Sequence, residues 1–326
     1  MENDQEKIKN SDGLQPGWEK DVLEKLMFSA LKEQKSARRW GIFFKLLTFS
    51  YLMVLLAIIA APQIKSGIGG SGKQHVAVVD VLGQIASSEA SSASSIIEGL
   101  QDAAKDKNTK GIILNINSPG GSPVQSIYIY DEIRRLKKLH PNLPIYAVVA
   151  DICASGGYFI AAAADKIFVS PASIIGSIGV IMNGFGFTGV MDKVGVERRL
   201  LTAGEHKAML DPFSPVKEPE NQHMQSLLNQ VHQQFIDAVR QGRGDRLKEA
   251  QTPELFSGLV WTGAESLKIG LADGFGSVES VARDELGTEE TVNFTPKEQL
   301  LDRLAGKFGA AFSHSISNLL NIGSLR

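Results

Sequence analysis

Residues 111–166 read GIILNINSPGGSPVQSIYIYDEIRRLKKLHPNLPIYAVVADICASGGYFIAAAADK. Gly111–Asn117 is an apolar, β-branched run that stops at a glycine-rich turn, and residues at about 123–139 place apolar side chains at helical spacing. Pro144–Ala150 starts the same cycle again, with a second small-residue turn and an alanine-rich helix at about 156–164. Strands that alternate with helices in this way pair in parallel, so the stretch predicts an α/β fold whose sheet is covered on both faces. Upstream, the pattern continues through a strand at His75–Leu82 and a helix at about 92–106. Downstream it predicts strands at Lys166–Val169 and around Glu197–Thr202. A long helix at about 218–241 follows, with Met224, Leu227, Leu228, Val231, Phe235 and Val239 on one face. No repeat of solenoid length is present.

The 326 residues hold 34 Lys+Arg against 36 Asp+Glu, a formal net charge of −2, which supplies no field to hold nucleic acid. The single cysteine, Cys153, excludes an intrachain disulfide and a cysteine-rich zinc module. Gly41–Pro62 (GIFFKLLTFSYLMVLLAIIAAP) has about the ~20 apolar residues that cross a bilayer as a helix. Lys45, its one charge, lies near the end, where it can snorkel to the headgroups. About 40 hydrophilic residues precede the run, too many for the n-region of a cleaved signal peptide, so the span reads as an uncleaved anchor. Lys32, Lys35, Arg38 and Arg39 precede it, whereas only Lys65 and Lys73 follow closely, and the positive-inside rule therefore puts the N-terminus in the cytoplasm. The expected organisation is a cytoplasmic tail at 1–40, with a short amphipathic helix at Asp21–Lys35, then a transmembrane helix at 41–62 and a flexible linker at 63–74. A folded domain at 75–290 outside the membrane and a C-terminal tail at 291–326 complete it. Gly67–Lys73 resembles a phosphate loop, but Gln74 stands where Ser or Thr should bind magnesium, and a strand follows it instead of a helix.

Two turns could carry chemistry. Asn117–Gly121 (NSPGG) places glycine amides at the carboxyl edge of the sheet, where α/β folds bind ligands and where backbone N–H groups can meet an oxyanion. Taken alone, it is equally a plain turn. Cys153–Gly157 (CASGG) presents Ser155 at a strand–turn–helix junction, either as a nucleophile or merely as a helix N-cap, with the Gly156 N–H as a second oxyanion donor. Cys153 is a rival nucleophile or a small buried residue. None of the six histidines has a spacing that identifies a triad. His206 and Lys207 lie together in LLTAGEHKAM, and a desolvated lysine can replace histidine as base.

NSPGG at 117–121, ASGGY at 154–158, IIGSIGV at 174–180 and TAGEHKAM at 202–209 together resemble the signal peptide peptidase A (protease IV) family of membrane-bound Ser-Lys proteases. The likeness continues through Asp211-Pro212-Phe213, Val260–Gly263 and Gly270–Asp273, covering most of residues 75–285, with Leu259 departing from a position often basic in the family. The resemblance implies a ClpP/crotonase-like spiral of ββα units. It makes Ser155 the nucleophile, Lys207 the base and Ser177 a hydroxyl that orients the lysine, with Gly120, Gly121 and Gly156 around the oxyanion hole. No metal and no cofactor would be needed. The partners it implies are signal peptides or other apolar peptides, the lipid bilayer, and further copies of the chain in a ring, octameric by expectation, that shares Ser155 and Lys207 between neighbours. The same fold family supplies the rivals: a crotonase-like acyl-CoA enzyme that uses the paired amides for a thioester enolate, and a catalytically silent membrane scaffold.

Overall fold

The computed structural model describes residues 18–67 and 72–296, which fall into two units, Met1–Gly69 and Gly70–Arg326. The first contains one helix, α1 (Trp18–Gly67), continuous across the expected boundary at 40/41 and into the stretch expected to be a flexible linker. The short helix expected at Asp21–Lys35 is thus part of a 50-residue one. Among the described residues no helix is long and apolar enough to cross a membrane. The described side chains of α1 end at Leu55, so the apolar run at 41–62 falls only partly within them. Residues 1–17 and 68–71, and 297–326 of the expected C-terminal tail, lie outside the described residues.

The second unit is built on an eight-stranded sheet: β1 (His75–Ile85), β2 (Thr109–Gly121), β3 (Ile145–Ala154), β4 (Lys166–Val169), β5 (Ile174–Gly176), β6 (Val260–Thr262), β7 (Gly274–Phe275) and β8 (Thr291–Asn293). The order is β6-β5-β3-β2-β1-β8, all parallel except β5–β6. At β3 the sheet forks. Tyr146–Val148 pair with β4, which continues to β7, whereas Ile152–Ala154 pair with β5. The fork lets the ends of β2, β3 and β5 meet at one point.

One face of the sheet packs against α2 (Ala93–Lys105), α3 (Pro123–Leu139), α4 (Gly156–Ala161) and α6 (Glu218–Arg243), with Val79, Val81, Ile112, Leu114, Ile116, Ile133, Tyr158, Phe159 and Val239 in the main core. On the other face, Val76, Ile113, Val148 and Phe168 pack under α7 (Val278–Asp284). Ser92 and Ser122 cap α2 and α3 by accepting from the amides of Ser95 and Gln125, and Pro123 opens α3, where its missing N–H costs nothing. Alpha-6 comes so close to the chain after α4 that a Cβ on Gly242 would lie 1.8 Å from the Ala162 carbonyl oxygen. Its end is fastened by Arg243, fully buried, which donates to the Gly270 carbonyl at 2.9 Å and to both carboxylate oxygens of Asp273 at 2.7 and 2.9 Å. Burial alone would raise the Asp273 carboxyl, but the hydrogen bonds and charge of Arg243 outweigh it and hold that carboxyl below its usual range.

Three sequence expectations change. Beta-2 takes in the whole of NSPGG, since Gly120 and Gly121 still pair with Gln84 and Ile85 of β1. The helix after Ser155 stops at Ala161 instead of about 164, because two short-range bonds, Ala163 N–H to Ile160 and Ala164 N–H to Ala161, tighten the chain into β4. The strand around Glu197–Thr202 does not form. After a seven-residue helix, α5 (Thr188–Val194), this stretch has no regular structure, for no other strand runs beside it to complete a ladder. Its Leu201 is 99% exposed.

Candidate active site

The ends of β2, β3 and β5 converge on Ser155. The Ser155 N–H donates to the Gly176 carbonyl at 2.9 Å, which ties the end of β3 to the end of β5. Ser155 takes φ 52° and ψ −123°, a left-handed conformation that a side chain makes costly, by about 1–3 kcal/mol. It occupies the N-cap position of α4, but its side chain accepts no capping hydrogen bond. The N-cap explanation of this serine therefore fails: the residue is strained and its hydroxyl is not spent on the helix. Such strain persists where the surrounding packing over-determines it, as at functional sites.

The glycines beside it are required by contact. A Cβ on Gly120, at φ +97°, would lie 2.6 Å from the Gly156 nitrogen, and one on Gly121, at φ +153°, would lie 2.2 Å from the Ile85 carbonyl oxygen. One on Gly156 would meet the Ser126 hydroxyl at 2.5 Å and the Gly121 nitrogen at 3.3 Å. The end of β2 is thus pressed against the first turn of α4, where helix amides have no intrahelical acceptor. Backbone donors from two elements are gathered beside one hydroxyl, the arrangement that stabilises an oxyanion.

Ser155, Gly121, Gly156 and Ser177 line one cavity of about 370 Å³. Its apolar wall is Ile127, Phe159, Val231 and Phe235, from α3, α4 and α6, together with Val180 and Ile181 just after the Ser177 turn. Ser177, like Ser155, is a non-glycine residue at positive φ (51°), and its N–H donates to the Leu259 carbonyl at 2.7 Å. Cys153 is fully buried, and burial pushes its thiol far above the range in which thiolate forms, so it is no rival to Ser155. Among the described residues, no histidine lines this cavity. His206 is exposed and lies 3.5 Å from the buried Glu220 carboxylate, which Lys217 also approaches.

Lys207 is elsewhere. It is exposed, in a series of turns at 203–210, with its N–H bonded to the Gly204 carbonyl, and it takes no part in the wall of the Ser155 cavity. It belongs to an arm, residues 180–217, that organises itself through the stacking of Phe187 on Phe213 and the Arg198–Asp211 pair. The arm leaves Ile181, Phe185, Val194, Leu201 and Val216 largely exposed. One chain therefore brings together five of the six residues singled out in the sequence, with Gly120 packed directly behind Gly156, and leaves out the lysine. Sequence reasoning missed Ser126, Phe159 and Phe235 as parts of the site. Val231 and Phe235 were visible only as members of an apolar helix stripe, which looks the same whether it faces a core or a cavity.

A serine on a strained strand–helix junction, beside gathered backbone donors, in a forked, mainly parallel α/β sheet defines a ClpP-like peptidase domain, and comparison with known proteins agrees. The Clp protease pattern matches residues 69–175 and the Peptidase family S49 pattern residues 137–292. The chain is 31% identical over 216 residues to the "Putative protease MJ0651" of Methanocaldococcus jannaschii, covering 65% of this chain and 67% of that one. It is 34% identical over 197 residues to the "Putative signal peptide peptidase SppA" of Enterococcus faecium (59% and 56%). It is also 43% identical over 205 residues to a Brucella abortus protein named "Na(+)/H(+) antiporter NhaA", a match covering 63% of this chain and 27% of that much longer one. The chain belongs to peptidase family S49, the signal peptide peptidase A group of serine proteases. It spans about a quarter of the length of the Brucella protein (27%) and about half of the Enterococcus one (56%).

Proposed function

We propose that this chain is a membrane-anchored serine endopeptidase that degrades signal peptides after their release from secreted precursors, with Ser155 as nucleophile and Lys207 of a neighbouring copy as general base. The observation that carries the reading is the Ser155 hydroxyl, unspent on the helix it precedes and held on strained backbone beside the Gly121 and Gly156 amides. Ser155 Oγ attacks the peptide carbonyl while its proton passes to the lysine amine. The backbone donors of Gly121 and Gly156 hold the oxyanion, since the Gly120 N–H is spent on Ser118 Oγ at 3.1 Å. Collapse expels the amine product, which takes the proton back from the lysine and leaves an ester on Ser155. Water then gives its proton to the lysine and its hydroxide to the ester carbon, and the proton returns to Oγ. Ser177, on the same cavity, orients the amine.

The shared dyad rests on the separation within one chain. A lysine acts as base only when desolvated, and Lys207 here stands in water, away from the apolar wall beside Ser155. The arm that bears it leaves Phe185, Val194, Leu201 and Val216 largely exposed, as an element that docks on a neighbour would. Repetition of one head-to-tail contact closes a ring, for which eight copies is the expected size. The run at 41–62 anchors the chain as a single span, with the N-terminus in the cytoplasm and the peptidase domain outside, and anchoring raises the local concentration of copies. The fork at β3 supports a spiral of ββα units. The apolar cavity suits an apolar peptide, and the name of the Enterococcus relative points to signal peptides as that peptide.

Full-length protein in detergent, treated with a serine-reactive acylating probe and given a released signal peptide, tests this. The expected result is one modified serine, Ser155, and cleavage that disappears in Ser155→Ala. Labelling elsewhere, or cleavage by Ser155→Ala, would refute the reading.

A further inference from the structure

The turn that bears Ser177 is fastened from three directions. Gly176 at its start, at φ +112°, accepts from the Ser155 N–H, and the Ser177 N–H donates to Leu259 beside β6. The third attachment is a side chain: His232 Nε2 lies 3.0 Å from the carbonyl oxygen of Ile178, whose own side chain is fully buried. Since a carbonyl only accepts, Nε2 carries the proton and donates. Among the described residues this is the one side-chain hydrogen bond made to residues 176–179. His232 is half-buried on α6, next to Val231 and one turn before Phe235, both on the wall of the Ser155 cavity. The helix that walls the cavity therefore also sets the height of the turn at its rim.

We propose that His232 is a positioning residue, whose Nε2–H bond to the Ile178 carbonyl holds the 176–179 turn and so aims the Ser177 hydroxyl at the lysine amine. The proposal rests on the role given to Ser177 above. Ser177 sits in a conformation that a non-glycine residue leaves readily when released, so a lost tether moves the hydroxyl rather than merely loosening a loop. The required chemistry is an N–H donor of the right reach, not a titrating base. Both the neutral Nε2–H imidazole and the imidazolium supply it, and a glutamine amide can substitute.

The test uses the full-length chain as wild type, His232→Leu, His232→Gln, Ser177→Ala and the double variant Ser177→Ala/His232→Leu, read by peptide-cleavage kinetics and by amide hydrogen exchange. His232→Leu should speed exchange at residues 177–179 without changing it in β2. It should lower kcat by about ten- to a hundredfold, as displacement of a positioned group does, while KM moves little. His232→Gln should restore both readouts. In the Ser177→Ala background, His232→Leu should lower kcat no further, because the two residues act as one unit. Unchanged exchange at 177–179 in His232→Leu, full additivity of the two changes, or a folded His232→Gln as slow as His232→Leu would each overturn the proposal. The last result would mean that the imidazole does more than donate a hydrogen bond. Wild-type kinetics in Ser177→Ala would overturn the reading of Ser177 itself, a failure told apart by the exchange data.

Discussion

The part of the domain that carries Ser155 and the arm that carries Lys207 are built on opposite principles. Around Ser155, parallel strands buried on both faces, two capped helices and a buried arginine hold the frame, and backbone atoms leave no room for a Cβ at Gly120 or Gly121. In the arm, a seven-residue helix and a series of turns hold together through local contacts such as the Phe187–Phe213 stack and the Arg198–Asp211 and Arg199–Glu197 ion pairs, with Ile181 and Phe185 each 82% exposed. The first region is complete in one chain. The second leaves large apolar side chains in solvent, which is what the proposed docking on a neighbouring copy requires. Under that proposal the nucleophile sits in a rigid frame and the base on an element that can reach.

The comparison breaks in different places for different substitutions. The largest expected effect is chemical: Ser155→Ala and Lys207→Arg should each lower kcat/KM by about 10⁴-fold or more, since residues that act as a unit lose nearly the whole catalytic gain singly. Guanidinium stays protonated in a protein, so arginine cannot serve as base. If Lys207→Arg stays active and His206→Ala is dead, histidine is the base. Arg243→Met removes the bidentate partner of the Asp273 carboxylate, leaving it Arg246 at 3.2 Å and the Ile167 N–H, and should cost about 3 kcal/mol of stability, measured by urea denaturation. Leu201→Asp should leave that stability unchanged yet dissociate the assembly and reduce activity about thirtyfold or more, the scale of an interface residue worth about 2 kcal/mol. Sedimentation of the two variants side by side sharpens the contrast. A Leu201→Asp variant that keeps its mass and activity would remove the arm from the interface.

Two smaller effects probe the rigid region alone. Asp273 has a carboxyl lowered on folding, so its contribution to stability is present above the unfolded value of about 3.9 and disappears as pH falls through the lower folded one. Thermal midpoints should therefore drop below about pH 4, and Asp273→Asn should flatten that part of the profile while it lowers the midpoint at pH 7. Ser122→Ala removes the cap of α3 and should cost about 1 kcal/mol, with assembly unchanged.

The same contrast governs what could be read from the sequence. Beta-4 at Lys166–Val169 and α3 at 123–139 are legible to the residue, the strand as a short continuous apolar run buried on both faces and the helix because burial on one side imposes a period of 3.6. The glycines were legible too, for a turn that admits no Cβ leaves only one residue type. In the arm the rule inverts. Glu197–Thr202 reads as a strand, yet among the described residues no strand pairs with it, because sequence patterning reports which residues suit a strand and not whether a neighbour completes the ladder. The cavity wall at Phe159 and Phe235 escaped for a related reason, since those side chains serve core and cavity at once.

The central claim, that Ser155 of one copy works with Lys207 of the next, has a direct measurement in mixed assemblies of Ser155→Ala and Lys207→Ala chains. Each variant alone should be inactive. After dissociation and joint reassembly in equal amounts, about one interface in four should combine an intact serine with an intact lysine, so a head-to-tail ring should recover about a quarter of wild-type activity. A mixture shown to co-assemble that remains wholly inactive, while wild-type protein taken through the same steps recovers, would contradict the shared site and return both residues to a single chain.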